Sequence, residues 1–187
     1  MIEENEKNIE FEQSVVKIVI DELIDRGFIR KDINTFERTK EILRKYNRIK
    51  RSTKGIDKQI KSLQKNLESI SGIKPGMKKN AFAAALIPGV NMSDYDSIFS
   101  RINELEASKV KINAFLEHIK TLVDENANAD DKDLFNRIFF ESSSSVKQLC
   151  EELDCTSSSI YKRINNVVNK IYIELFPELY LDEICQK

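Results

Sequence analysis

Two apolar seams that step alternately by four and three residues constrain the fold of this chain more than any other feature. Ile42, Tyr46, Ile49, Thr53, Ile56, Ile60, Leu63, Leu67 and Ile70 make the first seam, with Thr53 as its polar exception. Ile98, Ile102, Leu105, Lys109, Ile112, Leu116, Ile119 and Val123 make the second, with Lys109 as its exception. A 3.5-residue period keeps each set on one side of an α-helix and requires something apolar to face it. The first helix is expected from after Asp32 to about Ser71, and the second from a cap at Ser93 or Asp94 onward. Between them, Gly72 to Met92 holds three of the five glycines and two of the three prolines, which reads as a loop. Joined in this way, the seams pack most simply as an antiparallel coiled-coil hairpin, with Ile70 near Ile98 and Tyr46 near Val123. Pairing of the same seams between chains satisfies the pattern equally well. Gly55, in mid-seam, costs about 1 kcal/mol relative to Ala and predicts a kink or break.

The remaining segments are helical in pattern too, so the expected fold class is all-α, with residues 1–125 as an assembly region. Ile9 to Arg26 is an acidic amphipathic helix with Phe11, Val15, Ile18, Val19 and Leu23 in its stripe, stopped at Gly27-Phe28. Asp130 to Phe140 is a further helix with Leu134, Phe135, Ile138 and Phe139 inward. It opens a three-helix domain over 130–176, after which Pro177 stops the chain's last helix and an acidic tail runs over 177–187. That tail carries Leu179, Tyr180, Leu181 and Ile184, enough to fold back.

Within this domain, Ser145 to Ile171 reads as two short helices around a tight polar turn. Val146, Leu149, Cys150 and Leu153 share one helical face, and Ile160, Ile164, Val167, Val168 and Ile171 share another. Asp154 stands where the first helix must reverse, a position that needs a left-handed backbone and that Gly, Asn or Asp tolerates. Thr156 offers the N-cap of the second helix, leaving Asp154-Cys155-Thr156 as the turn of a helix-turn-helix.

On the second helix, the side away from the core carries Ser158, Lys162, Asn165, Asn166 and Asn169, flanked by Tyr161 and Arg163. From Thr156 to Ile173 there are three basic residues and no acidic one, in a chain of net charge -1. Asn pairs bidentately with adenine and Lys donates to guanine, so this face suits double-stranded DNA. Lys170, Arg163 and the Thr156 and Ser157 hydroxyls suit phosphates, and Ser159 is a further DNA-binding candidate. A solvated helix surface with the same composition is the plain alternative.

Charge is unevenly spread elsewhere. Arg30 to Lys61 holds twelve basic residues against four acidic ones, and Met1 to Ile29 holds eight acids against three bases. The basic arm reads either as a second phosphate-contacting surface or as a solvated coiled-coil flank partly neutralised by the acidic helix.

Catalysis has little support. His118 is the only histidine and flanks the second seam, and no G-x-S-x-G, P-loop or G-x-G-x-x-G occurs. Neither an enzyme nor a cofactor or metal site is expected. Cys150, Cys155 and Cys185 form no C-x-x-C pair, and with no signal-peptide pattern the odd count points to reduced thiols and a cytoplasmic location. The longest apolar run, Ala81 to Val90, is too short for a bilayer and contains Pro88.

TKEILRKYNRIK (Thr39 to Lys50), INELEASKVKI (Ile102 to Ile112) and SVKQLCEELDCTSSSIYKRI (Ser145 to Ile164) together resemble phage-borne transcription regulators of the ArpU/RinA kind, whose C-terminal domain is similar to region 4 of sigma factors. The resemblance covers roughly Thr39 to Ile171. It implies control of late phage or prophage genes by promoter binding, beside RNA polymerase, with the recognition helix on Thr156 to Lys170. The chain departs from that pattern at three places. Asp154 replaces the usual turn Gly, Ile164 follows Ile160 by four residues rather than three, and Ser157, Ser158 and Ser159 replace the usual Arg and Glu readers.

Two functions are therefore expected. One is a sequence-specific DNA-binding regulator, homo-oligomeric through its seams. The other is a coiled-coil assembly factor, such as a DNA-packaging or adaptor protein, whose last three helices bind protein. For the first, the Ser/Asn-rich and lightly basic face implies modest intrinsic affinity that gains specificity from oligomerisation or a partner.

Overall fold

The computed structural model describes residues 15–71 and 92–177, and every regular element among them is helical. In chain order these are α1 (15–25), α2 (Thr35–Ser71), α3 (Met92–Asn126), α4 (Ala129–Phe135) with a π-helical continuation (Asn136–Phe140), α5 (Val146–Glu152) and α6 (Ser157–Leu175). The expected loop as far as residue 91, the tail beyond Pro177 with Cys185, and Phe11 lie outside the described residues. No helix among the described residues is long and apolar enough to cross a membrane.

Local chemistry explains where the elements begin and end. At the end of α1, Gly27 takes φ +69°, its N–H bonds the Ile24 carbonyl at 2.9 Å, and the Phe28 N–H bonds the Leu23 carbonyl at 2.8 Å. These are the two bonds of a Schellman stop, which only a residue tolerant of positive φ makes cheaply. Asn34 accepts from the Glu37 N–H at 2.8 Å ahead of α2. Helix α2 then runs for 37 residues through Gly55, so the helix does not break there. The buried seam positions Thr53, Ile56 and Ile60 hold the helix through that point. Because α3 starts at Met92, Ser93 and Asp94 occupy its first turn rather than its cap.

Two faces differ from expectation. In α1 the buried positions are Val16, Val19, Ile20 and Leu23, while Ile18 is 46% exposed. The run Val15 to Ile20 is apolar nearly all round, so period alone could not choose between faces. In the helix expected over Asp130 to Phe140, the π-helical turn inserts one residue per turn, with the Glu141 N–H on the Asn136 carbonyl at 2.8 Å. That rotation buries Phe140 and leaves Ile138 and Phe139 half-buried.

The chain divides into two compact units. One comprises residues up to Lys50 and from Ala114 on, and it places α4 to α6 against the start of α2. Its core includes Val19, Leu23, Ile42, Leu43, Ile49, Phe115, Ile119, Phe135, Leu149, Ile160, Val168 and Ile171, all essentially inaccessible. Each such burial stabilises by roughly 1.5–3 kcal/mol before entropy is counted. Aromatic contacts join its elements: Phe36 meets Tyr172 edge-on at 5.9 Å, Tyr46 meets Phe140 at 4.7 Å, and the Arg38 guanidinium lies 5.7 Å from the Phe176 ring. The second unit, Arg51–Asn113, buries Thr53, Ile56, Ile60 and Leu67 of α2 and Tyr95, Ile102, Leu105 and Ile112 of α3. Lys109, the charged member of the second seam, pairs with Asp57 at 2.5 Å.

Candidate nucleic-acid interface

Helices α5 and α6 are fixed by short-range bonds that their sequence supplies. Ser145 caps α5 in a capping box with Gln148, each side chain bonding the other's backbone N–H. The helix ends at Glu152, and Leu153 leaves helical geometry (φ -95°, ψ 3°), which turns its side chain outward to 48% exposure although period placed it on the inner face. Asp154 takes φ +48°, the left-handed conformation its position demanded. The Cys155 N–H closes the turn on the Cys150 carbonyl at 3.1 Å, and Thr156 caps α6 by accepting from the Ser159 N–H at 3.2 Å. Both cysteines are free thiols, half-buried; burial and then the neighbouring Cys155 push the Cys150 thiol up.

The loop before α5 is held from α2. The Asn47 amide donates to the Phe139 carbonyl and to the Ser142 hydroxyl, each at 2.7 Å, where Ser142 takes φ 52°. Arg137 bonds the Ser144 hydroxyl at 3.1 Å and pairs with Glu152, clamping the π-helical turn to the end of α5. These bonds fix α5 and α6 on the same body as the first four turns of α2.

Helix α6 buries Ile160, Ile164, Val167, Val168, Ile171 and Leu175 and turns a polar face outward. Ser157, Ser158, Ser159, Lys162, Asn166, Asn169 and Lys170 are exposed on it, Tyr161 is 51% exposed, and Asn165 is half-buried. Three residues expected to contact DNA have other work. The Thr156 hydroxyl is the helix cap. Arg163 donates from Nε to Asp131 at 2.5 Å, tying α6 to α4, and Lys170 donates to the Asn126 carbonyl at 3.2 Å.

Two contributors came from a distant part of the sequence. Lys40 and Arg44 of α2 line one cleft of about 280 Å³ with Tyr161 and Asn165 of α6, over a floor that includes Leu43, Ile138 and Ile164. No carboxylate lines it. Lys40 also pairs with Glu37 at 2.9 Å, whereas Arg44 is exposed and makes no ion pair among the described residues. The excess of base in Arg30 to Lys61 flagged this region, but only tertiary packing selects which two of its cations stand beside α6.

The rest of the α2 start is anchored internally. Burial would raise the Glu41 carboxyl, but the Arg30 backbone N–H at 2.9 Å and the Lys45 ammonium at 2.8 Å outweigh it and hold the pKa below the usual carboxylate range. Lys45 also donates to the Phe28 carbonyl at 2.6 Å, and Arg48 lies 5.2 Å from the Phe28 ring. His118 is half-buried on α3, and among the described residues no three His, Cys, Asp or Glu side chains gather to hold a metal ion.

Chemically, the assembled surface offers hydroxyls, amides, a phenol and cations on a fixed helix, with a guanidinium beside it. Such groups donate to base edges and phosphates. No protein-family model, curated protein or solved structure matches the chain.

Proposed function

We propose that the chain is a DNA-binding transcription regulator in which α5 and α6 act as a helix-turn-helix and α6 enters the major groove. The observation that carries this reading is the outward face of α6, which presents Ser157, Ser158, Tyr161, Lys162, Asn166 and Asn169 with no acidic residue before Glu174 in its last turn, while Lys40 and Arg44 stand beside Tyr161 and Asn165. The left-handed Asp154 and the caps at Ser145 and Thr156 support the motif. In this docking the N-terminal residues of α6 meet base edges and Arg44 meets a flanking phosphate.

The same reading takes α2 and α3 as an antiparallel coiled-coil pair that supplies assembly or polymerase contacts. One interaction links the two helices: Asp57 pairs with Lys109 at 2.5 Å. The likeness to phage regulators of the ArpU/RinA kind adds late-gene control to the proposal.

Fluorescence anisotropy of the full chain with a labelled random duplex at two salt concentrations tests it. Binding is expected at low salt, weakening as salt rises, and Tyr161→Ala with Lys162→Gln is expected to weaken it about fivefold or more, as loss of contacts worth about 1 kcal/mol or more requires. Undetectable binding at low salt, or no effect of the double variant, overturns the reading and leaves α4 to α6 to a protein partner, as in an assembly or adaptor factor.

A further inference from the structure

Within the Arg51–Asn113 unit, Arg51, Lys54, Lys58, Lys61 and Lys65 follow one another along α2 in steps of three, four, three and four. That spacing puts all five cations on one helical face. All five are exposed, and none makes an ion pair or hydrogen bond among the described residues. The nearby acids are otherwise engaged: Asp57 pairs with Lys109 at 2.5 Å, and Glu68 has a partner of its own.

An unpaired row of like charges is costly to keep, because each cation repels the next along the helix. At about 1.5 Å rise per residue the row is roughly 21 Å long, with a cation about every 5 Å. A nucleic-acid strand offers a phosphate about every 3.4 Å along the duplex axis, so such a row meets a density of anions at least equal to its own density of cations. An anionic membrane is the poorer fit. A helix that lies on a bilayer buries its apolar face there, whereas Ile56, Ile60 and Leu67 of this helix already lie in the protein core.

We infer that this row is a sequence-independent binding surface for the phosphate backbone of duplex nucleic acid, separate from the outward face of α6. It needs no base reading and supplies affinity that the lightly basic α6 lacks. The inference goes beyond the helix-turn-helix proposal and stands or falls apart from it.

The test is the full chain carrying Lys54→Gln, Lys58→Gln, Lys61→Gln and Lys65→Gln, substitutions that keep helix propensity nearly constant. Circular dichroism checks the fold, and a quadruple Lys→Arg variant checks that charge is the cause. Anisotropy with a random duplex across a salt series is expected to show weaker binding for the Gln variant. Its slope of log affinity against log salt should be flatter by about 0.9 for each phosphate no longer neutralised, with the Arg variant retaining wild-type behaviour. Co-sedimentation with vesicles of 70:30 phosphatidylcholine and phosphatidylserine is expected to retain no protein.

An unchanged affinity and slope in the folded Gln variant overturns the inference, as does vesicle binding that depends on the row while duplex binding does not. If the row matters but Tyr161→Ala with Lys162→Gln has no effect, the surface stands and the helix-turn-helix reading fails. The reverse result refutes the surface alone.

Discussion

Arg163 looks from its position like a DNA contact, and the structure makes it a brace. Its Nε lies 2.5 Å from the Asp131 carboxylate, with 32% of the arginine side chain and 13% of the aspartate accessible. Two unit charges about 4 Å apart attract by about 4 kcal/mol at an effective dielectric near 20. Partial exposure and the ordering of a long side chain reduce that, leaving an expected coupling of about 1–2 kcal/mol. Asp131 is itself pre-positioned, since its N–H donates to the Asn128 side chain at 2.9 Å and its carboxylate accepts from the Asn128 amide at 3.0 Å. Urea unfolding of wild type, Arg163→Gln, Asp131→Asn and the double variant, followed by circular dichroism, measures the coupling directly. Both single variants should lose about 1–2 kcal/mol, with the double variant close to either. In parallel, Arg163→Gln should hold most of its duplex affinity while Lys162→Gln loses more. A coupling below about 0.3 kcal/mol, together with a loss of duplex affinity in Arg163→Gln as large as in Lys162→Gln, refutes the reasoning and returns Arg163 to the interface.

Other expectations follow from single positions. Gly55 is helical and exposed, and a Cβ added there meets nothing within 4 Å, so Gly55→Ala should stabilise by about 0.5–1 kcal/mol in urea unfolding, and a loss would reveal a contact there. Tyr95 is fully buried and its hydroxyl has no hydrogen-bond partner among the described residues, so Tyr95→Phe should leave the melting temperature unchanged or raise it, where a drop would mean a hidden partner. The folded pKa of Glu41 is held below its unfolded value, so its ionised form adds stability that is fully present above the unfolded pKa and is lost as pH falls through the folded one. Glu41→Gln should therefore be less stable than wild type at pH 7, by about 1–2 kcal/mol for a largely buried carboxylate with two charged partners, and the gap should narrow as pH falls below about 4; a gap independent of pH would refute this.

Features governed by neighbours in sequence were legible, and those governed by packing were not. Asp154 was legible because few residues accept φ +48°, and Thr156 because its hydroxyl bonds an N–H three residues on. The π-helical turn was not, since Leu134, Phe135, Ile138 and Phe139 fit a 3.6-residue period and nothing in that spacing marks the extra residue. Nor could an apolar run such as Val15 to Ile20 choose its own inner face, because the choice belongs to whatever packs against it. The interface shows the same division with a functional consequence. Counted along the chain, Thr156 to Ile173 carries three cations. In space, Asp131 holds Arg163 and the Asn126 carbonyl engages Lys170, which leaves Lys162 as the cation of α6 without a partner among the described residues. A helix with one uncommitted cation binds a polyanion weakly through charge. If α6 reads DNA, the affinity must therefore come largely from elsewhere in the chain, beginning with Arg44, which the fold sets beside Tyr161 and Asn165.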